Sequence, residues 1–370
     1  MKVDCAFIAN VLPGKFYENI NTAQGRPVEY SFYKPLFLEF NKITPGAFLA
    51  IDCYPEDCLN KFGIIKARKQ FLQALKYAVE ELGVKIVLLS ASSKRLFGKE
   101  IEIKVNWSGN HDNYGFTLKE LYPDILFTNG DNGTAVILNL EIDSILEKAE
   151  IITKNNIVVI NGLGLLGLDS LQYLIDKNIP DEQIIIVSNH TNNLKEIIGL
   201  KNIQIFSSIN KIKIKNSNKI RAIINCTHNP SSLITANNLN VIQNGQPIHV
   251  IDVAVPYGLS EIELNKCTNI LRQDGGNAYF ESGLEFYFNP ELCGLTDNIL
   301  YGCFAETVAL SSYVEDSGYK FNCVKSYDFF NVNFKTKEFL KELFKKYKIS
   351  IAPIAYNFNR KINFLIADIL

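Results

Sequence analysis

Four histidines in 370 residues, and no Cys-x-x-Cys pair among the eight cysteines, leave little from which to build a zinc site. Formal net charge is only −1, so the chain exerts no long-range attraction on nucleic acid or an anionic membrane. Its lysine-rich stretches, such as Lys211-Ile-Lys-Ile-Lys215, are short and interleaved with isoleucine, as on a solvated strand face. No apolar run approaches the length of a membrane span. The segment Met1 to Asn10 lacks a sustained apolar core and reads as a first strand rather than a signal peptide. These shortages point to a soluble, cytoplasmic protein whose cysteines are mostly reduced and buried.

What is present is core-forming material. Apolar residues make up 47% of the chain, and its length suits two domains with a helical appendage. The organising stretch is Ile157-Val-Val-Ile-Asn-Gly-Leu-Gly-Leu-Leu-Gly-Leu168. Its β-branched run predicts a buried strand, and Gly162, Gly164 and Gly167 follow at the spacing of a dinucleotide fingerprint. Gly162 suits the tight turn, Gly164 a close approach to pyrophosphate, and Gly167 the packing of the next helix. That helix, expected from near Leu168 to Asp176, would turn its first amides, with Leu165 and Leu166 in the loop, toward the phosphates. The apolar run Ile184–Val187 then completes a strand–helix–strand unit, and further strands are expected at 203–206, 222–225 and 249–253.

The loop after 222–225, Cys226-Thr-His-Asn-Pro230, falls on the cofactor side. Thr227 and His228 are therefore candidate contacts, although a loop histidine can equally bond its own backbone. At the end of the second strand an NAD site carries an Asp or Glu for the ribose hydroxyls. Here Ser188-Asn-His-Thr-Asn192 has no carboxylate, and Ser188, Asn189 and Thr191 offer neutral donors, which favours NADP(H).

Before this lies a mixed region with short strands expected at 5–11, 47–52, 85–89 and 135–140. A helix is expected over 63–82, closed by Gly83. Two loops of small polar residues sit at strand ends: Ser92 and Ser93 in one, Asn129, Gly130 and Thr134 in the other. Residues 141–150 read as a helix leading into the central domain. Gly275-Gly276 reads as a turn. Residues 295–310 read as a helix capped by Thr296 or Asp297, with Cys303 about two turns in, and a last helix is expected over 336–347. The expected fold is α/β. A Rossmann-type doubly wound parallel sheet over 151–294 is preceded by a smaller α/β substrate-binding domain over 1–150. A C-terminal helical segment, 295–370, follows.

Several stretches resemble one family, the long-chain acyl-[acyl carrier protein] reductases that form fatty aldehydes. They are Cys303-Phe-Ala-Glu306, Asp52-Cys-Tyr-Pro-Glu56, Ile65-Lys-Ala-Arg68, Ser92-Ser93, Phe127-Thr-Asn-Gly130 with Thr134-Ala135, and Ile351-Ala-Pro353. Their order and spacing match the family's from about Gly46 to Ala355. The chain departs from the family in having Asn161 where the phosphate loop begins with glycine, and Asn189 and Thr191 where arginines are usual.

The resemblance implies that Cys303 accepts an acyl group from a carrier-protein or coenzyme A thioester, and that NADPH reduces the acyl-enzyme to an aldehyde. Glu306, one turn on, is the second catalytic candidate as a group that orients the site, with a structural role as the alternative, since a nearby carboxylate raises a thiol pKa. Ser92, Ser93, Asn129, Gly130 and Thr134 become candidates for substrate or oxyanion contacts. Two other readings stay open. One is a shikimate-dehydrogenase-like enzyme reducing a ketone directly, with Cys303 merely buried. The other is a non-catalytic NADP-binding module.

Overall fold

The computed structural model describes residues 2–11, 32–40, 44–58, 60–97, 117–153, 155–188, 202–214, 217–227, 229, 232–242, 245–255, 257–293, 295–296, 298–352, 354–358 and 360–365. The chain divides into two compact units. One comprises Met1–Gly133 with Ala278–Ser350, the other Thr134–Asn277 with Ile351–Leu370. This differs from three consecutive segments: residues 278–350 belong with the amino-terminal region, and the last twenty with the central one. A linear reading cannot detect a chain that leaves a unit and returns to it.

The first unit begins with β1 (Cys5–Asn10), β2 (Leu36–Phe40), β3 (Thr44–Ile51), β4 (Ile86–Leu89) and β5 (Leu126–Thr128). Between β3 and β4 runs helix α1 (Lys61–Glu80). Asn60 caps it, its side-chain oxygen accepting from Gly63 N at 2.6 Å. Its buried face carries Ala67, Phe71, Ala74, Leu75 and Ala78. Past its end Gly83 takes a left-handed φ of 74°. β1, β3, β4 and β5 are parallel, so they end at one edge of the sheet, while β2 runs antiparallel to β3.

Both faces are covered, which explains why these strands read as continuous apolar runs. Ala6 and Ile8 join the core that includes Phe71, Leu75 and Phe97. The opposite face sets Phe7 and Phe48 against Phe304, with ring centroids 4.7 and 4.8 Å from that residue.

Helix α2 (Asp131–Lys148) follows β5. Residues 135–140, expected as a strand, lie inside it. Their near-continuous burial removes the polar face by which helical periodicity is recognised, and a short apolar run alone cannot tell helix from strand.

The second unit holds β6 (Asn156–Asn161), helix α3 (Leu165–Asp176), β7 (Ile184–Val187), β8 (Gln204–Phe206), β9 (Lys219–Asn225), β10 (Ile248–Asp252) and β11 (Ile270–Asp274). The sheet order is β8-β7-β6-β9-β10-β11, all parallel. In chain order that is 3-2-1-4-5-6, the doubly wound dinucleotide-binding topology, whose ligand crevice opens where the order reverses, between β6 and β9.

The chain then returns to the first unit through β12 (Asn277–Phe280), β13 (Leu284–Phe286), β14 (Ile299–Tyr301), helix α4 (Gly302–Asp316), helix α5 (Phe334–Lys346) and β15 (Ile349–Ile351). β13 extends the first sheet on β2, and β14-β12-β15 form a small separate one. Strands β16 (Ile354–Asn357) and β17 (Arg360–Leu365) form a closing hairpin in the second unit. No helix among the described residues is long and apolar enough to cross a membrane.

Helix α4 starts later than its sequence suggests. Residues 299–301 are strand, and Tyr301 rather than Thr296 is the N-cap. Asp297 lies outside the described residues. Cys303 is therefore the second residue of the helix, in its first turn, and not two turns in. The helix is buried on nearly every side, so it has no polar stripe to mark its beginning.

Candidate functional site

In the first unit, the loops after β4 and β5 and the first turn of α4 meet at the carboxyl edge of the sheet. Gly130 shows how closely. It has a φ of 69°, and a Cβ placed on it would lie 2.3 Å from the Cβ of Cys303, so only glycine fits. Two residues beyond Asp131, a Cβ on Gly133 would lie 2.2 Å from the carbonyl oxygen of Gly302. The α2 turn thus packs directly on the residues that open α4.

Glu306 fastens this arrangement. It is fully buried, and both carboxylate oxygens are engaged. Oε1 accepts from Thr128 Oγ1 at 2.6 Å, and Oε2 accepts from Gly133 N at 2.6 Å. Burial pushes its pKa up to about 7, against the lowering effect of the Thr128 and Gly133 hydrogen bonds. With its oxygens occupied by the loop over Cys303, Glu306 holds the loop in place.

Cys303 is partly buried. Burial pushes its thiol up to about 12, with further raising by Asp131 and Glu306. Lys94 and the Phe304 backbone N–H act in the opposite direction. The first amides of a helix have no partner within it, so the start of α4 also favours negative charge at this position. Lys94 and Asp131 form an ion pair at 2.7 Å. Neither residue is marked by a motif; what places them here is the adjacency of β4 and β5.

The loop after β4 is strongly anchored. Ser93 Oγ donates to Ile8 O at 2.9 Å and Ser90 O at 2.6 Å, while Ser92 N donates to Asn10 Oδ1 at 2.9 Å. The Ser93 hydroxyl therefore holds the loop to β1. Asn129 is buried and its N donates to Phe329 O at 3.3 Å. Ser92, Ser93, Asn129 and Gly130 all lie at the sheet edge that carries Cys303. Thr134 falls in the second unit, where its methyl group lies beside Gly276.

In the second unit the fingerprint occupies the switch point. Gly162 leaves β6 at a φ of 95°, and a Cβ there would lie 2.6 Å from that of Thr227 in the loop after β9. A Cβ on Gly167 would lie 1.9 Å from Gly162 O, the close helix–strand packing expected of the third glycine. Gly164 is the N-cap of α3, and among the described residues nothing stands within 4 Å of where its side chain would project. Helix α3 starts at Leu165, earlier than expected, with Leu165 and Leu166 in its first turn and no acidic residue there. A pyrophosphate fits such an open helix N-terminus.

Thr227 Oγ1 accepts from Asn229 N at 3.1 Å, so it shapes its own turn. Ser188 directly follows β7, its N donating to Phe206 O at 2.9 Å. Asn189, Thr191 and His228 lie outside the described residues.

A polar ladder that sequence reading missed crosses the strand ends of this sheet. Asn161 Nδ2 donates to Asn225 Oδ1 at 2.7 Å, and Asn225 Nδ2 to Asp252 Oδ1 at 2.7 Å. Arg272 continues it, with Nη2 donating to Asp252 Oδ2 at 3.1 Å and Nη1 to Asp274 Oδ1 at 2.7 Å. Asn161, the departure from the glycine pattern, thus has a structural use. All of these side chains are buried.

No family model matches the chain, and no curated protein matches it. Solved structures do. A chorismate mutase/shikimate 5-dehydrogenase fusion protein from Clostridium acetobutylicum is similar over 94% of this chain and 100% of its own, at 13% identity and a TM-score of 0.33. L-Tryptophan dehydrogenase from Nostoc punctiforme is similar over 93% and 88%, at 12% identity and a TM-score of 0.35. A dipicolinate synthase polypeptide from Bacillus halodurans is similar over 74% and 90%, at 11% identity and a TM-score of 0.30. Likeness at this level carries no argument about chemistry.

Proposed function

We propose that this protein is a nicotinamide-dependent oxidoreductase that reduces a fatty acyl thioester, carried by acyl carrier protein or coenzyme A, to an aldehyde through an acyl-enzyme on Cys303. The observation that carries the reading is the position of Cys303. It lies in the first turn of a buried helix, at the carboxyl ends of parallel strands, with a glycine turn against it and a lysine nearby. The Cys-Phe-Ala-Glu resemblance names the same residue.

A dinucleotide would be held by the turn at Gly162, the open N-terminus of α3 from Gly164 to Gly167, and Ser188 at the end of β7. The lack of a carboxylate from Ser188 to Asn192 supports NADP(H) over NAD(H). When bound, its reduced form supplies hydride.

The chain's own part is carried by sulfur. As a thiolate, Cys303 attacks the thioester carbonyl; its S–C bond forms as the donor's breaks, and the donor sulfur leaves and takes up a proton. Once the acyl carbon is reduced, Cys303 departs as a thiolate and the aldehyde is freed. The balance is thioester, NADPH and a proton giving aldehyde, free thiol and NADP⁺.

The burial of Cys303 favours a second reading. A thiol raised to about 12 is almost wholly protonated at neutral pH, as suits a cysteine that only packs. The protein would then reduce a ketone directly. Turnover of acyl thioesters and of simple ketones, followed by NADPH oxidation in the parent and in C303A, separates the two. Loss of thioester reduction in C303A supports the acyl-enzyme; ketone reduction unchanged in C303A, with no thioester turnover in either protein, supports the second reading.

A further inference from the structure

We propose that Lys94 is the cation that favours the thiolate of Cys303, held in place by Asp131 and by the anchored loop that carries it. The inference rests on Cys303 being the nucleophile of the proposed reaction.

Two observations of geometry carry it, and the electrostatic surroundings of the thiol agree with them. First, the Lys94 ammonium lies 2.7 Å from Asp131 Oδ1, and Asp131 directly follows Gly130, the residue pressed against Cys303. Second, the loop bearing Lys94 is pinned on two sides. Ser92 and Ser93 bind it to the end of β1, and Arg68 of α1 donates from Nε to Leu96 O at 2.5 Å. A lysine on so fixed a backbone presents its charge in a defined place, although its own stem is flexible.

Among the described residues, the other ionisable neighbours acting on the thiol are carboxylates, Asp131 and Glu306, and both oppose its ionisation. Burial opposes it more strongly still, and Lys94 is the first influence in the other direction. Asp131 thus has two effects: it positions the ammonium and offsets part of its charge. The proton released from Cys303 passes to solvent, and Lys94 keeps its own.

The test is the rate of Cys303 alkylation by iodoacetamide from pH 6 to 10, read by peptide mass in the parent, K94M and K94R. The full-length protein is used, and no thioester or nicotinamide is needed. K94M is expected to react about tenfold more slowly at pH 8, the loss of thiolate for one pKa unit. K94R is expected to recover most of the parent rate. Unfolding cannot imitate this result, because a freed thiol titrates near about 8.5 and reacts faster. Coincident profiles for the parent and K94M overturn the role of Lys94 while leaving Cys303 as a reactive thiol. Absence of Cys303 alkylation at every pH overturns the nucleophile and this inference together.

Discussion

Glu141 shows what burial does to a single side chain when no cation among the described residues accompanies it. Its Oε2 accepts from Gly276 N at 2.8 Å, and burial pushes its pKa up to about 8 despite the Gly276 and Asn277 backbone hydrogen bonds. The folded state therefore holds this proton more tightly than the unfolded chain, where the group titrates near 4.5. Stability from this source is fully present below about 4.5 and is lost as pH rises through about 8. A glutamine keeps the acceptor for Gly276 and cannot ionise. E141Q should thus gain on the parent through that window, reaching on the order of 2–4 kcal/mol at pH 8 in urea unfolding. Parallel stability–pH curves for the two proteins would show that Glu141 ionises freely in the fold. The same scale explains what could be read of the site beforehand. Cys303 and Glu306 stand in a short, distinctive motif, and Gly130 in another. Lys94 and Asp131 look like ordinary solvated charges, and what makes them neighbours is a pairing of β4 with β5 that the local sequence does not encode.

At the scale of elements, the strands and helices legible in sequence are those with one exposed face or a clear punctuation mark. Helix α1 has Asn60 before it and Gly83 after it, and β6 ends in a glycine turn. Helices α2 and α4 lack such contrast because they are buried nearly all round, so part of α2 reads as a strand and the start of α4 reads too early. The closing hairpin is illegible for another reason: its anchor is remote in sequence. Arg272 is fully buried, its guanidinium 4.6 Å from the Tyr257 ring centroid and 4.0 Å from that of Phe358. Its Nη1 also donates to Asn357 Oδ1 at 2.7 Å, and Phe358 N donates to Asp274 Oδ1 at 3.1 Å. One side chain therefore ties the hairpin to β10 and β11. R272M keeps much of the volume but removes the buried cation that pairs with Asp252 and Asp274. A loss of about 3–5 kcal/mol is expected on denaturation, with new protease cleavage in the hairpin at residues 354–365. An R272M protein as stable and as resistant as the parent would mean that the ladder contributes little.

For the whole molecule, the proposed reaction divides the work between a unit that carries the thiol and a unit that would hold the dinucleotide. That division can be taken apart by mutation. A valine at Gly167 would force its side chain into Gly162 O, where even a Cβ would lie at 1.9 Å. G167V should lose NADPH binding, measured by quenching of nicotinamide fluorescence, yet keep the parent rate of Cys303 alkylation. Loss of both would mean that the two units do not fold independently enough for such a division. The parallel character of the second sheet is legible from the fingerprint and the strand–helix–strand unit it opens, whereas the return of residues 278–350 to the first unit has no local signature.

The central claim concerns a covalent bond to Cys303, so the most direct measurement is intact mass. The protein is incubated with a long-chain acyl carrier thioester in the absence of nicotinamide, and then with NADPH added. The expected result is a mass increase of one acyl group, absent in C303A, that is discharged as aldehyde when NADPH is supplied. No adduct across several chain lengths and both thioester carriers would contradict it and leave direct ketone reduction as the better reading.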